Sequence, residues 1–274
     1  MGLGRRSDRV GLMSASDRNR RLAVTVAEVF CVLGTLVGLG VLGGPEVQQA
    51  AGGALAADAT YIAPAVPAFG IWTPIYLGLA AYTLWQWLPV TATPRYRQTG
   101  WLAAASMVLN ALWLLVVRAG WLWVSVLVII ALALTLGVLL QRLGAHPPTS
   151  VLERVLTDVT FGLYLGWVSV ATCANIAATL VDAGVAPDRP TVEIITIAVL
   201  AVTVALAYVY AVRLGPRLAV AAAMAWGLGW ISYGRLTDRP ESVAVGVAAA
   251  LAAAGVLAVT LAQRSASSRS ARHA

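Results

Sequence analysis

Between residues 22 and 263 the chain is a succession of apolar runs cut by short loops, most of which carry arginine. Each run is close to the roughly 20 residues that an α-helix needs to cross a bilayer. Inside lipid the backbone must satisfy its own hydrogen bonds, which leaves only helices or a closed barrel. Uninterrupted apolar runs select the helix. Composition agrees. The chain is 59% hydrophobic and 11% charged, with a mean hydropathy of +0.80, whereas a soluble domain carries about 25% charged residues. The expected class is an all-α membrane protein with about eight transmembrane helices, whose first partner is the lipid bilayer.

The runs fall at 22–44, 68–88, 100–117, 121–140, 156–181, 192–212, 218–233 and 242–263. The first has an apolar core longer than that of a cleaved leader and is read as a retained helix. Counting arginine sets the topology. With eight spans and the N-terminus inside, fifteen of the nineteen Arg face the cytoplasm, and Arg118, Arg189, Arg235 and Arg239 face out. That asymmetry is what the positive-inside rule requires. It predicts a multi-pass protein of the inner, cytoplasmic membrane with both termini cytoplasmic: an Arg-rich tail over 1–21 and a second tail over 264–274. The net charge of +7 is spread between apolar runs rather than gathered on one face, so no nucleic-acid partner is expected.

One run differs from lipid filler. Residues 64–87 place Phe69, Trp72, Tyr76, Leu79 and Thr83 at spacings of three and four, hence on one helix face. Pro74, between Trp72 and Tyr76, is expected to kink that helix. Without further information the run also reads as a tilted span with aromatic belts. Two other runs carry amides: Ser106, Asn110, Trp113 and Val117 share one face of the third, and Tyr164, Trp167, Ala171 and Asn175 one face of the fifth. An unpartnered Asn in hydrocarbon is costly, so both should point into the bundle, as interhelical glue or as ligand contacts. Gly34/Gly38 and Gly40/Gly44 are small-residue pairs that let a neighbouring helix come close.

Pro64-x-x-Pro67-x-Phe69-x-x-Trp72-Thr73-x-x-Tyr76 with Tyr82-x-x-Trp85, Leu109-Asn110-Ala111-Leu112-Trp113 with Arg118-x-Gly120, and Tyr164-x-x-Trp167-Val168-Ser169-x-Ala171-Thr172-x-x-Asn175 resemble three helices of the translocator protein family, the TspO/MBR or tryptophan-rich sensory proteins. The resemblance covers 22–182 and implies a five-helix ligand-binding bundle. Residues 183–263 then form an additional three-helix region that the five-helix family lacks. In that family the bundle encloses a pocket for porphyrins and similar flat apolar ligands, lidded by the first loop. Carried over, Trp72, Tyr76, Asn110, Trp113, Ala171 and Asn175 would line it, beside Phe69, Tyr164 and Trp167. The animal proteins' sterol-binding segment has no counterpart after Asn175.

The function expected is binding of a porphyrin- or tetrapyrrole-like ligand for sensing, regulation or handling, with a homodimer as a possible assembly. No cofactor is required, and a porphyrin or haem-type molecule would be the ligand. No recognised catalytic motif occurs, and no His, Met or Cys cluster offers a metal site, so the expectation is a non-enzyme. Two rivals stand beside it. A secondary transporter would use Glu28 or Asp158, acids otherwise paired with Arg21 or Arg154 at the interface. An accessory subunit would pack its Gly/Ala-rich helices on a partner.

Overall fold

The computed structural model describes residues 15–273. Its eight helices are α1 Ala15–Gly38, α2 Trp72–Trp85, α3 Pro94–Arg118, α4 Leu122–Ala145, α5 Val151–Asp182, α6 Arg189–Arg213, α7 Leu218–Thr237 and α8 Val243–His273. No strand occurs among the described residues. The fold is therefore all-α, and α1, α3, α4, α5, α6 and α8 are long and apolar enough to cross a membrane. Of the expected tail over 1–21, residues 1–14 lie outside the described residues, and α1 already begins at Ala15.

α1, α2, α5, α4 and α3 close a ring, each packed on the next. α7 packs against α5, α8 against α7, and α6 against α8. Close approach depends on small residues. A Cβ on Gly34 would lie 2.7 Å from the Ala111 Cβ, and one on Gly38 2.7 Å from Leu114 Cδ2, so α1 sits directly on α3. Gly162 and Gly166 do the same for α5 against α7, where a Cβ would meet Ala219 and the Val220 backbone. The expected second pair, Gly40/Gly44, plays another part. Both residues have positive φ (+72° and +83°) and turn the chain beyond the end of α1, a conformation that favours glycine.

α2 departs from the kinked span expected. It has 14 residues, about 21 Å of helix, and is extended by a 3₁₀ helix over Val66–Ile71 that continues into it. The change of helix type falls before Pro74. Pro74 is thus the third residue of α2, just past the junction at which the Trp72 N–H still donates back to the 3₁₀ turn. It starts the helix rather than kinking it.

Charged groups cluster at one end of the bundle. Asp17 of α1 accepts three bonds from Arg97 of α3 at 2.8–3.2 Å. Arg20 donates to Gln86 Oε1 (3.2 Å), and Arg21 to the carbonyls of Trp87 and Leu88 (3.1 and 3.2 Å). Asp158 pairs not with Arg154, as expected, but with Arg95 and, at 2.9 Å, Arg217. It lies within a π-helical turn of α5, Arg154–Val159, and joins the ring to the start of α7. Because successive helices alternate in direction, both ends of the described chain lie at this Arg-rich end.

Candidate functional site: an aromatic cavity under the first loop

The opposite end is closed by the loop over 39–65. Arg118, at the end of α3, donates to the carbonyls of Val37 and Gly43 and fixes the start of the loop. Its far half is fixed by α7. Arg235 donates to the carbonyls of Thr60 (2.9 Å) and Ala57 (3.0 Å), the Ala65 N–H donates to the Trp230 carbonyl (3.2 Å), and Trp226 Nε1 donates to the Ala68 carbonyl (2.9 Å). Beneath this loop lies a cavity of about 50 Å³. Leu55, Thr60 and Pro64 line it from the loop, and Phe69, Trp113, Trp167, Ala171 and Asn175 from the helices.

Behind the cavity the aromatic side chains form one continuous cluster. Phe69 meets the Trp167 ring edge-on at 5.6 Å between centroids. Trp72 stacks on Tyr76 (5.0 Å, 14°) and makes edge contacts with Tyr164 (5.8 Å) and Trp167 (6.3 Å). The spacing of Phe69, Trp72 and Tyr76 has this consequence because the 3₁₀ helix delivers Phe69 to the same side as the first turn of α2. Of the nine residues singled out in the sequence, Phe69, Trp113, Trp167, Ala171 and Asn175 line the cavity, and Trp72 packs on Trp167 behind it. Tyr76, Tyr164 and Asn110 lie deeper, joined to it only through Trp72 and Tyr76.

Both amides bond across helices. Asn110 Nδ2 donates to Tyr76 Oη (3.0 Å) and Cys31 Sγ (3.4 Å), linking α3 to α2 and α1. Asn175 Oδ1 accepts from Trp113 Nε1 at 2.7 Å, while its Nδ2 donates to Ser125 Oγ at 2.9 Å and Thr179 Oγ1 at 3.3 Å. In this closed arrangement both Asn act as interhelical glue. Two polar atoms in the cavity wall remain without a hydrogen-bond partner: Trp167 Nε1, in a residue only 2% exposed, and Thr60 Oγ1. A buried donor left unpaired costs about 1–3 kcal/mol. The cavity therefore has an apolar, aromatic wall, and two of its lining residues each hold an unpartnered polar atom buried beneath that surface. Its lining contains no His, Cys or Met, so the wall itself supplies no axial ligand for haem iron.

Several participants carry no signal in the sequence. Ser125 and Thr179 read as ordinary helix residues, and Thr60 as loop. The α7 residues that hold the loop lie more than 150 positions downstream of it. Glu28 is the most consequential of the buried acids. It is 7% exposed, its Oε2 has no hydrogen-bond partner, and it lies near enough to Cys31, Tyr76 and Tyr164 to act on all three electrostatically.

An all-helical membrane protein with a small aromatic cavity, roofed by its first loop and walled by Phe69, Trp113, Trp167 and Asn175, is the class that these features define. The chain belongs to the TSPO-like protein family, whose family model matches residues 23–262. The match runs past the 22–182 of the sequence resemblance to take in α6, α7 and most of α8. No curated protein and no solved structure matches the chain.

Proposed function

We propose that the aromatic cavity binds a flat hydrophobic molecule of the porphyrin or tetrapyrrole type, for sensing, regulation or handling of that molecule rather than its chemical conversion. The observation that carries this reading is the convergence of Phe69, Trp113 and Trp167 around one cavity, backed by Trp72, with an unpaired donor buried at Trp167 Nε1. Offset and edge-on aromatic contacts suit a flat π-system, and a buried unpaired N–H gains when a ligand brings an acceptor. As packed, the cavity is far below the roughly 300–1,000 Å³ of a drug-sized site. Binding then requires the loop over 39–65 to move. The absence of His, Cys and Met from the lining favours a metal-free ring over one bound through its iron.

The 15-to-4 partition of Arg and the shared end of the two termini support placement in the cytoplasmic membrane with both ends cytoplasmic. The ring of α1–α5 is the binding unit in this reading, and α6–α8 are the layer that holds its lid. A second reading, coupled transport, is favoured by one observation: the buried Glu28 carboxyl near Tyr76 and Tyr164, whose Oε2 has no hydrogen-bond partner. Titrating protoporphyrin IX into the purified protein and following Trp fluorescence tests the first reading. Proteoliposome uptake with and without a pH gradient, in wild type and Glu28→Gln, tests the second.

A further inference from the structure

Gln48 and Ala56 line two spaces at once: the aromatic cavity, and a larger cleft of about 650 Å³ between the loop and the end of α7. Where the cavity is apolar, the cleft is charged. Asp58 lines it from the loop, and Arg235, Asp238 and Arg239 from the end of α7. Asp58, Asp238 and Arg239 are exposed, so water and salt screen them. Arg235 is only 1% exposed. Its terminal nitrogens are taken by backbone carbonyls of Ala57, Thr60 and Arg239, its Nε has no hydrogen-bond partner, and no carboxylate among the described residues lies within ion-pair distance.

A buried guanidinium whose direct partners are carbonyls alone is compensated only from a distance, here by Asp238 and Asp58, which leaves part of its desolvation cost standing in a low-dielectric site. An anion supplied from outside would remove that cost. Only the loop segment 56–60 separates this charge from the aromatic cavity, and Thr60 belongs to both: its carbonyl accepts from Arg235, and the residue lines the cavity. The cavity alone is too small for a flat polycyclic molecule, while the cleft beside it falls within the range of a ligand site.

We propose that cavity and cleft are two halves of one site for an amphipathic acid, the aromatic side taking a flat apolar body and Arg235 receiving a carboxylate on its edge. This rests on the aromatic-cavity reading above and adds the chemical class of the ligand. It also gives α7 a role in recognition, as the helix that carries the anion-binding residue and holds the loop between the two halves.

Protoporphyrin IX and its dimethyl ester share one ring and differ in the two carboxylates, so they separate the halves. Saturable quenching of Trp fluorescence is titrated with each probe in detergent. Wild type should bind the acid about tenfold more tightly than the ester, the scale of one charge-assisted hydrogen bond. Arg235→Gln should bring the acid-to-ester ratio close to one. Loosening the loop would weaken both probes alike, so the ratio and not the affinity is the readout. Asp58→Asn and Asp238→Asn leave the loop's hydrogen bonds in place and should raise the ratio by removing repulsion. They carry the test if Arg235→Gln does not fold. Saturable binding of both probes with equal affinity, or a ratio unmoved in all three variants, overturns the bipartite site but leaves the aromatic cavity standing. No saturable quenching by either probe overturns both.

Discussion

Trp113 of α3 and Asn175 of α5 meet across the inside of the ring, over α4, the indole N–H donating to the amide oxygen at 2.7 Å. The same amide also donates to Ser125 on α4, so one side chain holds three helices of the ring together at the rim of the cavity.

Replacing Asn175 by Ala should therefore lower stability as well as ligand affinity. It leaves the Trp113 N–H without its acceptor in a half-buried setting, a loss of up to about 1–3 kcal/mol. Thermal unfolding in detergent should show a clear drop in midpoint. A double-mutant cycle with Trp113→Phe should give a coupling of about 0.5–3 kcal/mol, as for residues in direct contact. Additive effects would contradict the bond.

Asp158 and Glu28 should respond oppositely to loss of charge. Asp158→Asn leaves Arg217 without its carboxylate and Arg95 with Glu153 alone, and breaking a buried pair costs up to about 3–5 kcal/mol. Glu28→Gln removes a carboxyl with an unpartnered oxygen and should leave stability equal or improved. Unfolding midpoints compare the two directly. Equal destabilisation would mean that Glu28 has a partner of comparable strength.

Packing through glycine gives a third expectation. Gly34 has the Ala111 backbone 3.0 Å from where a Cβ would stand, whereas nothing lies within 4 Å at Gly137 of α4. Gly34→Val should force α1 off α3 at a cost of about 1–3 kcal/mol. Gly137→Ala should be tolerated or stabilise by up to about 1 kcal/mol, through helix propensity. The order of the two midpoints is the check.

Topology is tested by labelling. On a background with Cys31→Ala and Cys173→Ala, Asp58→Cys and Asp188→Cys should react with an impermeant thiol reagent added to intact cells. Ala145→Cys and Ser267→Cys should not. All four positions are exposed in the fold, so burial cannot explain a silent site. Reaction at Ser267→Cys in intact cells would contradict the cytoplasmic C-terminus.

Much of this architecture is legible in the sequence because hydropathy and helical period act locally. Apolar runs mark the helices, and spacings of three and four place Trp72 with Tyr76 and Asn110 with Trp113. What the sequence hides is set by long-range contact. Pro74 reads as a kink until the 3₁₀ turn before it moves the helix start to Trp72. Gly40 and Gly44 read as a packing pair, though only a positive φ distinguishes their turn from a helix. Arg154 and Arg217 are equally plausible partners for Asp158 until α7 is seen against α5. The clamp of Trp226 and Arg235 on the loop joins residues more than 150 positions apart, beyond the reach of any local pattern.

The central claim is that the cavity lined by Trp113 and Trp167, with Trp72 packed behind Trp167, is the binding site, and protoporphyrin IX quenching tests it most directly. Energy transfer from nearby indoles should give a saturable decrease in wild type. Ten Trp contribute to the signal, so the comparison is with Trp72→Phe plus Trp113→Phe, which keeps apolar walls but removes two donors and the hydrogen bond to Asn175. The account predicts that the saturable component shrinks sharply and that its midpoint moves to higher ligand concentration. An unchanged amplitude and midpoint in the double variant would place the bound ring elsewhere and contradict the account.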